Sequence, residues 1–163
     1  MNIASRISSW IGHRKFPLPV ADAADYNALH AHRAANFLHP YKKRVLVVGC
    51  NTGLDCSYFV ELGAHSVVGL DVVDEVGEDF KHDRVSYHQM SVEDMSFDDQ
   101  SFDLVYTFAT MEHVPDVTAG FNEMVRVLKP GGLIYSIAAP LWNSPQGHHM
   151  GNHFADIPWI HLR

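Results

Sequence analysis

The chain has 163 residues, of which 47% are hydrophobic and 19% are charged, and its formal net charge is -7. This composition is typical of a globular protein, and we expect one domain over residues 1–163. An acidic balance offers no basic surface to a polyanion, so we expect no nucleic-acid partner. No signal-like N-terminus and no run of about 18 apolar residues occurs, which predicts a cytoplasmic protein without a membrane span.

Two helices are predicted in the N-terminal part, residues 1–40. Apolar residues recur at helical spacing over residues 3–11, which indicates a short amphipathic helix that either packs on the domain or covers the ligand site as a lid. The alanine-rich residues 22–38 predict a second helix. Within it, His30 and His32 are expected at the surface or at an edge rather than as ligands.

The core, residues 41–140, begins with a strand, a glycine turn and a helix. Residues 45–48 form a continuous apolar run, which predicts a strand over residues 44–48 that is buried on both faces. The run breaks at residues 49–53, GCNTG. A helical pattern follows and ends at Gly63, a typical C-cap. A second buried strand, residues 66–70, ends on Asp71. The turn lets a ligand approach the backbone, and the carboxylate can accept ribose hydroxyls.

Three more strands are predicted, over residues 85–89, 102–108 and 133–138. Between the last two, Asp116 can cap a helix that ends at the sequence KPGG, residues 129–132. Right-handed crossovers then predict an α/β fold, a doubly wound parallel sheet with strand order 3-2-1-4-5 and helices on both faces. Ligands bind at the carboxyl edge of such a sheet.

The sequences VLVVGCNTG, GLD, SFDLV and KPGG resemble, in order and spacing, the class I S-adenosylmethionine-dependent methyltransferases, especially the small-molecule branch. The resemblance implies a Rossmann-like sheet of seven strands, and this chain stops after the fifth, so we expect a C-terminally shortened domain with an exposed edge strand and a possible homodimer through it. Three positions depart from the family pattern: Asn51 replaces a glycine, Val47 replaces an acid, and Ser91 replaces an aspartate.

The resemblance also implies S-adenosyl-L-methionine as cofactor and a set of residues that bind it. These are Gly49, Cys50, Asn51, Gly53, Asp71, Val72, Met90, Ser91, Val92, Glu93, Thr107 and Phe108. Met90–Glu93 is the segment expected to contact adenine, although Glu93 and Asp94 could equally serve as a cap or a solvated turn. The cysteines, Cys50 and Cys56, are expected to be reduced.

His113 is the predicted catalytic base if the acceptor is a hydroxyl, because it follows the fourth strand and imidazole is a common general base. The alternative is that it packs or caps the next helix. Its surroundings, EHVPD, are similar to those in ubiquinone-pathway O-methyltransferases, where an additional acid helps to hold a metal; here that place is Ala109, so no metal is expected. His149 and His153 have zinc-like spacing, but Gly151 between them disfavours a helix.

The predicted function is methyl transfer to a small-molecule or glycan-related acceptor, with residues 141–163, a histidine-rich tail, as a possible acceptor loop. A nicotinamide-dependent dehydrogenase would need glycines at Asn51 and Leu54. The remaining alternative is a non-catalytic methyltransferase-fold module that binds a partner. The acceptor elements are few, so we expect the 163-residue form to bind cofactor better than it methylates.

Overall fold

The structure of the protein is a computed structural model, which describes residues 26–140 and His153. The predicted first helix, the start of the second, and His149 with most of the tail lie outside the described residues. Within the described part, no helix combines the length and the hydropathy needed to cross a membrane.

The described residues form three α-helices, one 3₁₀ helix and five strands. In chain order they are α1 (Tyr26–Leu38), β1 (Arg44–Val48), α2 (Leu54–Glu61), β2 (Ser66–Asp71), β3 (Val85–Gln89), β4 (Phe102–Phe108), a short 3₁₀ helix (Met111–His113), α3 (Val117–Val127) and β5 (Leu128–Ile137).

The strands form one parallel sheet with the order β3-β2-β1-β4-β5, which confirms the predicted topology. β1 lies at its centre, where Val45 pairs with Val67 of β2 on one side and with Leu104 of β4 on the other. Four of the five residues of β1 are buried, as the continuous apolar run predicts. The bounds of β1, β3 and β4 are those predicted, and β2 extends one residue further to include Asp71.

β5 differs from the prediction, because it starts at Leu128 rather than at residue 133. Leu128 already pairs with Phe102, and Leu133 pairs with Leu104, so the KPGG sequence forms an irregularity inside the strand. Gly131 has a φ of 80° there. The sequence identified KPGG as the end of the helix, but α3 ends at Val127 and passes directly into the sheet.

Both predicted helix caps are present. After α2, Gly63 has a φ of 83°, its N–H donates to Val60 O at 3.0 Å, and Ala64 N–H donates to Phe59 O at 3.0 Å, which together make a Schellman motif. At the start of α3, the Asp116 carboxylate accepts from Ala119 N–H at 2.9 Å. These local signals fix where α2 ends and where α3 begins.

Each face of the sheet is covered by a separate apolar cluster. The face that packs against α1 and α2 contains Val45, Val47, Phe59, Leu104 and Tyr106 among others. The face that packs against α3 contains Leu46, Val48, Leu70, Val105 and Met124 among others. The alternation of β1 between the two clusters follows from the period of two along a strand.

Candidate functional site

The glycine turn after β1 is pinned to the end of β2. The backbone N–H groups of Gly49 and Cys50 both donate to Leu70 O, at 2.9 and 3.1 Å. Gly49, Asn51 and Gly53 have φ values of 76°, 46° and 106°, all in the left-handed region. Asn51 therefore adopts the positive φ that its sequence position requires, as an asparagine can.

Asp71 is placed where it both shapes the turn and faces the ligand edge. Its Oδ2 accepts from Asn51 N–H at 2.8 Å, and its Oδ1 accepts from Val72 N–H at 2.7 Å and from Val73 N–H at 3.4 Å. A carboxylate offers about four acceptor positions, so three N–H groups leave room for one further donor, most directly on Oδ2.

Thr110 closes the turn from the other side. Its hydroxyl donates to Phe108 O at 3.1 Å and lies 3.4 Å from Val48 O. A Cβ atom added to Gly49 would overlap the Thr110 side chain. Gly49 is thus required both by its φ and by this close approach. The sequence analysis missed this role of Thr110, because nothing in the local pattern shows that residue 110 lies against residue 49.

The chain after β2 supports the turn without forming a helix. Gly77 N–H donates to Asn51 O at 2.9 Å, and Asp79 N–H donates to Thr52 O at 3.0 Å. Gly53 is covered by Tyr87 of β3, whose hydroxyl a Cβ at position 53 would meet. The chain after β2 therefore pairs the carbonyls of Asn51 and Thr52.

A cavity of about 670 Å³ opens beside the turn, at the carboxyl edge of the sheet. This volume lies within the usual range for small-molecule sites. Its lining contains nine of the predicted site residues: Gly49, Asn51, Asp71, Val72, Met90, Ser91, Val92, Glu93 and His113. It also contains residues that were not predicted: Val48, Leu70, Val73, Ala109, Thr110, Val114 and Pro115.

The remaining four predicted residues lie near the cavity but do not line it. Cys50 and Gly53 are buried in the turn, and Thr107 is completely buried in β4. Phe108 points to the opposite side of the sheet, where its ring stacks on His30. Their backbone positions nevertheless frame the turn, and their role in binding stays a prediction.

The segment predicted to contact adenine is held by its own side chains. Ser91 donates its hydroxyl to Glu93 Oε2 at 2.9 Å and accepts from Glu93 N–H at 3.2 Å. Glu93 Oε1 accepts from Asp116 N–H at 2.8 Å. Glu93 therefore connects this segment to the start of α3 and also lines the cavity. Its contact with adenine stays a prediction.

The charge of the lining favours a cation. It contains the carboxylates of Asp71 and Glu93, and none of the described residues that line it is a lysine or an arginine. A dinucleotide would bring a pyrophosphate to this turn and would meet no positive side chain. A ligand with hydroxyls and a positive charge fits the same lining better.

His113 ends the 3₁₀ helix after β4 and borders the cavity. Its backbone N–H donates to Thr110 O at 2.9 Å, which places it one turn after the residue that closes on Gly49. Its side chain is exposed. The position is compatible with the predicted base, which stays a prediction.

The two cysteines lie together behind the turn. Cys50 and Cys56 are free and buried, and a Cβ added to Gly69 would be 2.7 Å from one sulfur and 2.9 Å from the other. The contact with Cys50, together with burial, raises the pKa of the Cys56 thiol. This thiol is therefore protonated, as expected for a packing residue.

An α/β sheet with this strand order, a glycine turn after β1 and an acid after β2 defines the nucleoside-binding class of fold. The family model described as "Methyltransferase domain" matches residues 46–136 of the chain. The chain belongs to this family, the class I S-adenosylmethionine-dependent methyltransferases, as the resemblance of its motifs predicted.

Among curated proteins, the chain is similar to ubiquinone biosynthesis O-methyltransferases. It is 29% identical over 130 residues to the protein from Chelativorans, covering 76% of this chain and 51% of that protein. It is 36% identical over 97 residues to the one from Bradyrhizobium, covering 56% of this chain and 38% of that protein. The chain thus spans about half the length of the curated relatives it matches.

Solved structures show the same fold. The YcgJ protein from Bacillus subtilis superposes with a TM-score of 0.61 at 25% identity, over 64% of this chain and 48% of that chain. An S-adenosyl-L-methionine-dependent methyltransferase from Methanococcus maripaludis gives a TM-score of 0.60 at 22% identity, over 64% and 52%.

The residues present fit S-adenosylmethionine, the cofactor of this class. Asp71 Oδ2 has the acceptor position that a ribose hydroxyl needs. Gly49 and Asn51 bring the backbone of the turn to the wall of the cavity. The acidic lining suits a sulfonium, which carries a positive charge.

Proposed function

We propose that the protein transfers a methyl group from S-adenosylmethionine to a hydroxyl of a small-molecule acceptor. The observation that carries the proposal is the acidic cavity at the carboxyl edge, where Asp71 both holds the glycine turn and keeps a free acceptor position. The similar curated proteins are named for O-methylation in ubiquinone biosynthesis. Those names favour a hydroxyl acceptor of that kind over the glycan-related acceptor considered from the sequence.

The residues of the chain would act mainly by alignment. Methyl transfer from a sulfonium is an in-line displacement with a good leaving group, so positioning and exclusion of water supply most of the rate. Asp71 and the turn would fix the nucleoside end of the donor. Thr110 would keep the turn closed, and His113 would take the proton from the acceptor hydroxyl.

Binding of S-adenosylhomocysteine, measured by calorimetry, tests the cofactor site. Asp71→Ala removes a hydrogen-bond acceptor and also releases Asn51, so we expect binding to weaken by about 2 kcal/mol. Asp94→Ala is the matched control, because Asp94 is exposed and does not line the cavity. Absence of heat on folded wild-type protein, with either S-adenosylmethionine or its demethylated product, would reject the proposal and favour the non-catalytic binding module.

His113→Ala tests the proposed base. We expect methyl transfer to an acceptor hydroxyl to slow by about 10² to 10⁴, with cofactor affinity unchanged. An unchanged rate would assign His113 a structural role and leave alignment as the source of catalysis. The cytoplasmic location and a homodimer through the β5 edge stay predictions.

A further inference from the structure

The side chain of Thr110 bridges the carboxyl ends of β1 and β4. The sheet continues to β2 and β3 on one side of β1 and to β4 and β5 on the other, so the strand order reverses between β1 and β4. The Thr110 hydroxyl oxygen lies 3.4 Å from Val48 O of β1 and 3.1 Å from Phe108 O of β4. Thr110 is therefore placed at the switch point of the sheet, where open α/β folds bind their ligands.

The backbone after β4 explains why this side chain turns back towards β1. Ala109 has a φ of 51°, and its N–H donates to Ile137 O of β5 at 2.9 Å. A left-handed residue at this point turns the chain out of the strand direction. If Gly49 carried a Cβ, the atom nearest to that Cβ would be the Thr110 hydroxyl oxygen. The oxygen thus lies beside the glycine turn, and both Gly49 and Thr110 line the cavity.

The hydroxyl of Thr110 can offer lone pairs to a ligand but no proton. A threonine hydroxyl has one proton to donate and two lone pairs that can accept. The shorter of its two carbonyl contacts, to Phe108 O, takes the proton. The lone pairs of an oxygen that has already donated its proton attract positive charge. This group is therefore suited to a cationic part of the ligand.

The order of the strands indicates which part of S-adenosylmethionine reaches Thr110. Asp71, the expected partner of the ribose, ends β2, and Met90–Glu93, the segment expected to contact adenine, follows β3. Adenine and sulfur are attached to opposite ends of the ribose, so a ligand with adenine towards β3 extends its sulfur towards β1. Neighbouring strands are about 5 Å apart. The sulfur, which is bonded to the ribose 5′ carbon, would then lie over β1 and the gap that Thr110 bridges.

We propose that Thr110 recognises the sulfonium of the methyl donor through a lone pair of its hydroxyl. It would thereby favour S-adenosylmethionine over the neutral product, S-adenosylhomocysteine. The proposal rests on the proposed function and adds a specificity-determining residue to it. Asp71 and Glu93 attract positive charge throughout the cavity, whereas an oxygen fixed beside Gly49 acts on one part of the ligand. Such a preference would promote the replacement of product by fresh donor.

The test compares three ligands by calorimetry. They are S-adenosylmethionine, S-adenosylhomocysteine and sinefungin, which carries a protonated amine at the position of the methylated sulfur. Thr110→Val keeps the shape of the side chain and removes its oxygen. We expect this variant to bind the two cationic ligands about tenfold more weakly and S-adenosylhomocysteine less than about twofold more weakly. Thr110→Ser keeps the hydroxyl and should restore the wild-type preference.

Thr118→Val is the matched control, because Thr118 is exposed and does not line the cavity. It should leave all three affinities unchanged. Urea unfolding shows whether each variant is folded. Thr110→Ala also lacks the oxygen, so it replaces Thr110→Val if the valine variant does not fold, and it should lose the preference for the cationic ligands in the same way.

Failure of this proposal is distinct from failure of the proposed function. If the folded variant without the oxygen weakens all three ligands by the same factor, Thr110 acts only on the glycine turn. If it weakens none of them, Thr110 has no part in binding. Either result overturns the proposal and leaves the cofactor site in place. If folded wild-type protein binds neither S-adenosylmethionine nor S-adenosylhomocysteine, the proposed function itself is rejected.

Discussion

The two faces of the sheet bury different chemistry. The cluster against α3 consists of aliphatic, methionine and phenylalanine side chains. The polar residue Thr107 lies beside this cluster, because it pairs with Val48, which belongs to the cluster. The cluster against α1 and α2 includes two cysteines and Tyr106, and Asp55 is buried beside it. Polar groups are expensive to bury. Most of these polar groups lie on the face against α1 and α2, where His30 of α1 also contacts Tyr135 of β5.

The cluster against α3 is thus uniformly apolar, whereas the cluster against α1 and α2 buries thiols, a tyrosine hydroxyl and a neighbouring carboxylate as well. On the α3 side, the side-chain hydrogen bonds around Arg126 lie at the edge of the apolar cluster rather than inside it. Arg126 is their centre: it donates to Glu123, Asp99 and the carbonyls of Met95 and Phe97, at 2.7–2.8 Å. We therefore expect substitutions on the two faces to change the free energy of unfolding by different amounts and with different signs.

The largest effect is expected for Leu46→Ala, in the core of the α3 face. Leu46 is completely buried, so the variant loses apolar burial and leaves a cavity, which should lower the free energy of unfolding by about 3 kcal/mol. Leu54→Ala, at a position that is 50% exposed, should change it by less than about 0.5 kcal/mol. Urea unfolding measures both. Equal effects of the two substitutions would contradict the packing of Leu46 in this cluster.

Arg126→Ala should have the next largest effect, because it removes the guanidinium partner of Glu123 and leaves the carbonyls of Met95 and Phe97 without this donor. We expect a loss of about 2 kcal/mol in the free energy of unfolding. Lys129→Ala is the matched control: its ion pair with Asp103, at 2.9 Å, is more exposed and should contribute no more than about 1 kcal/mol. A smaller loss for Arg126→Ala than for the control would contradict the central role of Arg126.

Acid should weaken the contribution of the Arg126–Glu123 pair to stability. The hydrogen bond from Arg126 lowers the pKa of Glu123, with burial opposing it and the Met95 N–H assisting. A lowered folded-state pKa contributes stability that is present above the unfolded-state value of 4.5 and is lost as the pH falls through the folded value. The difference in unfolding free energy between wild type and Glu123→Gln should therefore be full at neutral pH and shrink below about pH 4. A difference that does not change with pH would show that the charge of Glu123 is not involved.

The sequence was sufficient for features that depend on neighbours along the chain. The strand pattern, the C-cap at Gly63 and the Asp116 cap were all predicted, because each is encoded within a few residues. It was insufficient where residues far apart meet. Thr110 against Gly49 and His30 against Tyr135 join segments about 60 and 105 residues apart, and no local periodicity shows such contacts.

The start of β5 was predicted incorrectly for a related reason. The KPGG sequence has the residues of a helix-ending turn, and the turn conformation is present at Gly131. Pairing with β4 at Phe102 nevertheless includes Leu128 in the strand. The boundary depends on a tertiary hydrogen-bonding partner that the turn residues do not reveal.

The smallest effect, and one of opposite sign, is expected for Tyr106→Phe on the α1 and α2 face. The ring of Tyr106 is completely buried, stacks on Tyr135 at 5.7 Å and meets Phe59 edge-on at 4.9 Å. Its hydroxyl is buried with no hydrogen-bond partner among the described residues. Phenylalanine keeps both ring contacts and removes only the unpaired hydroxyl, so the variant should be as stable as wild type or more stable by up to about 1 kcal/mol.

Tyr106→Leu, which removes the ring contacts as well, should instead lose about 1–2 kcal/mol in urea unfolding. A loss of more than about 1 kcal/mol for Tyr106→Phe would mean that the hydroxyl is paired in solution, and the contrast between the two faces would then rest on the buried thiols and Asp55 alone.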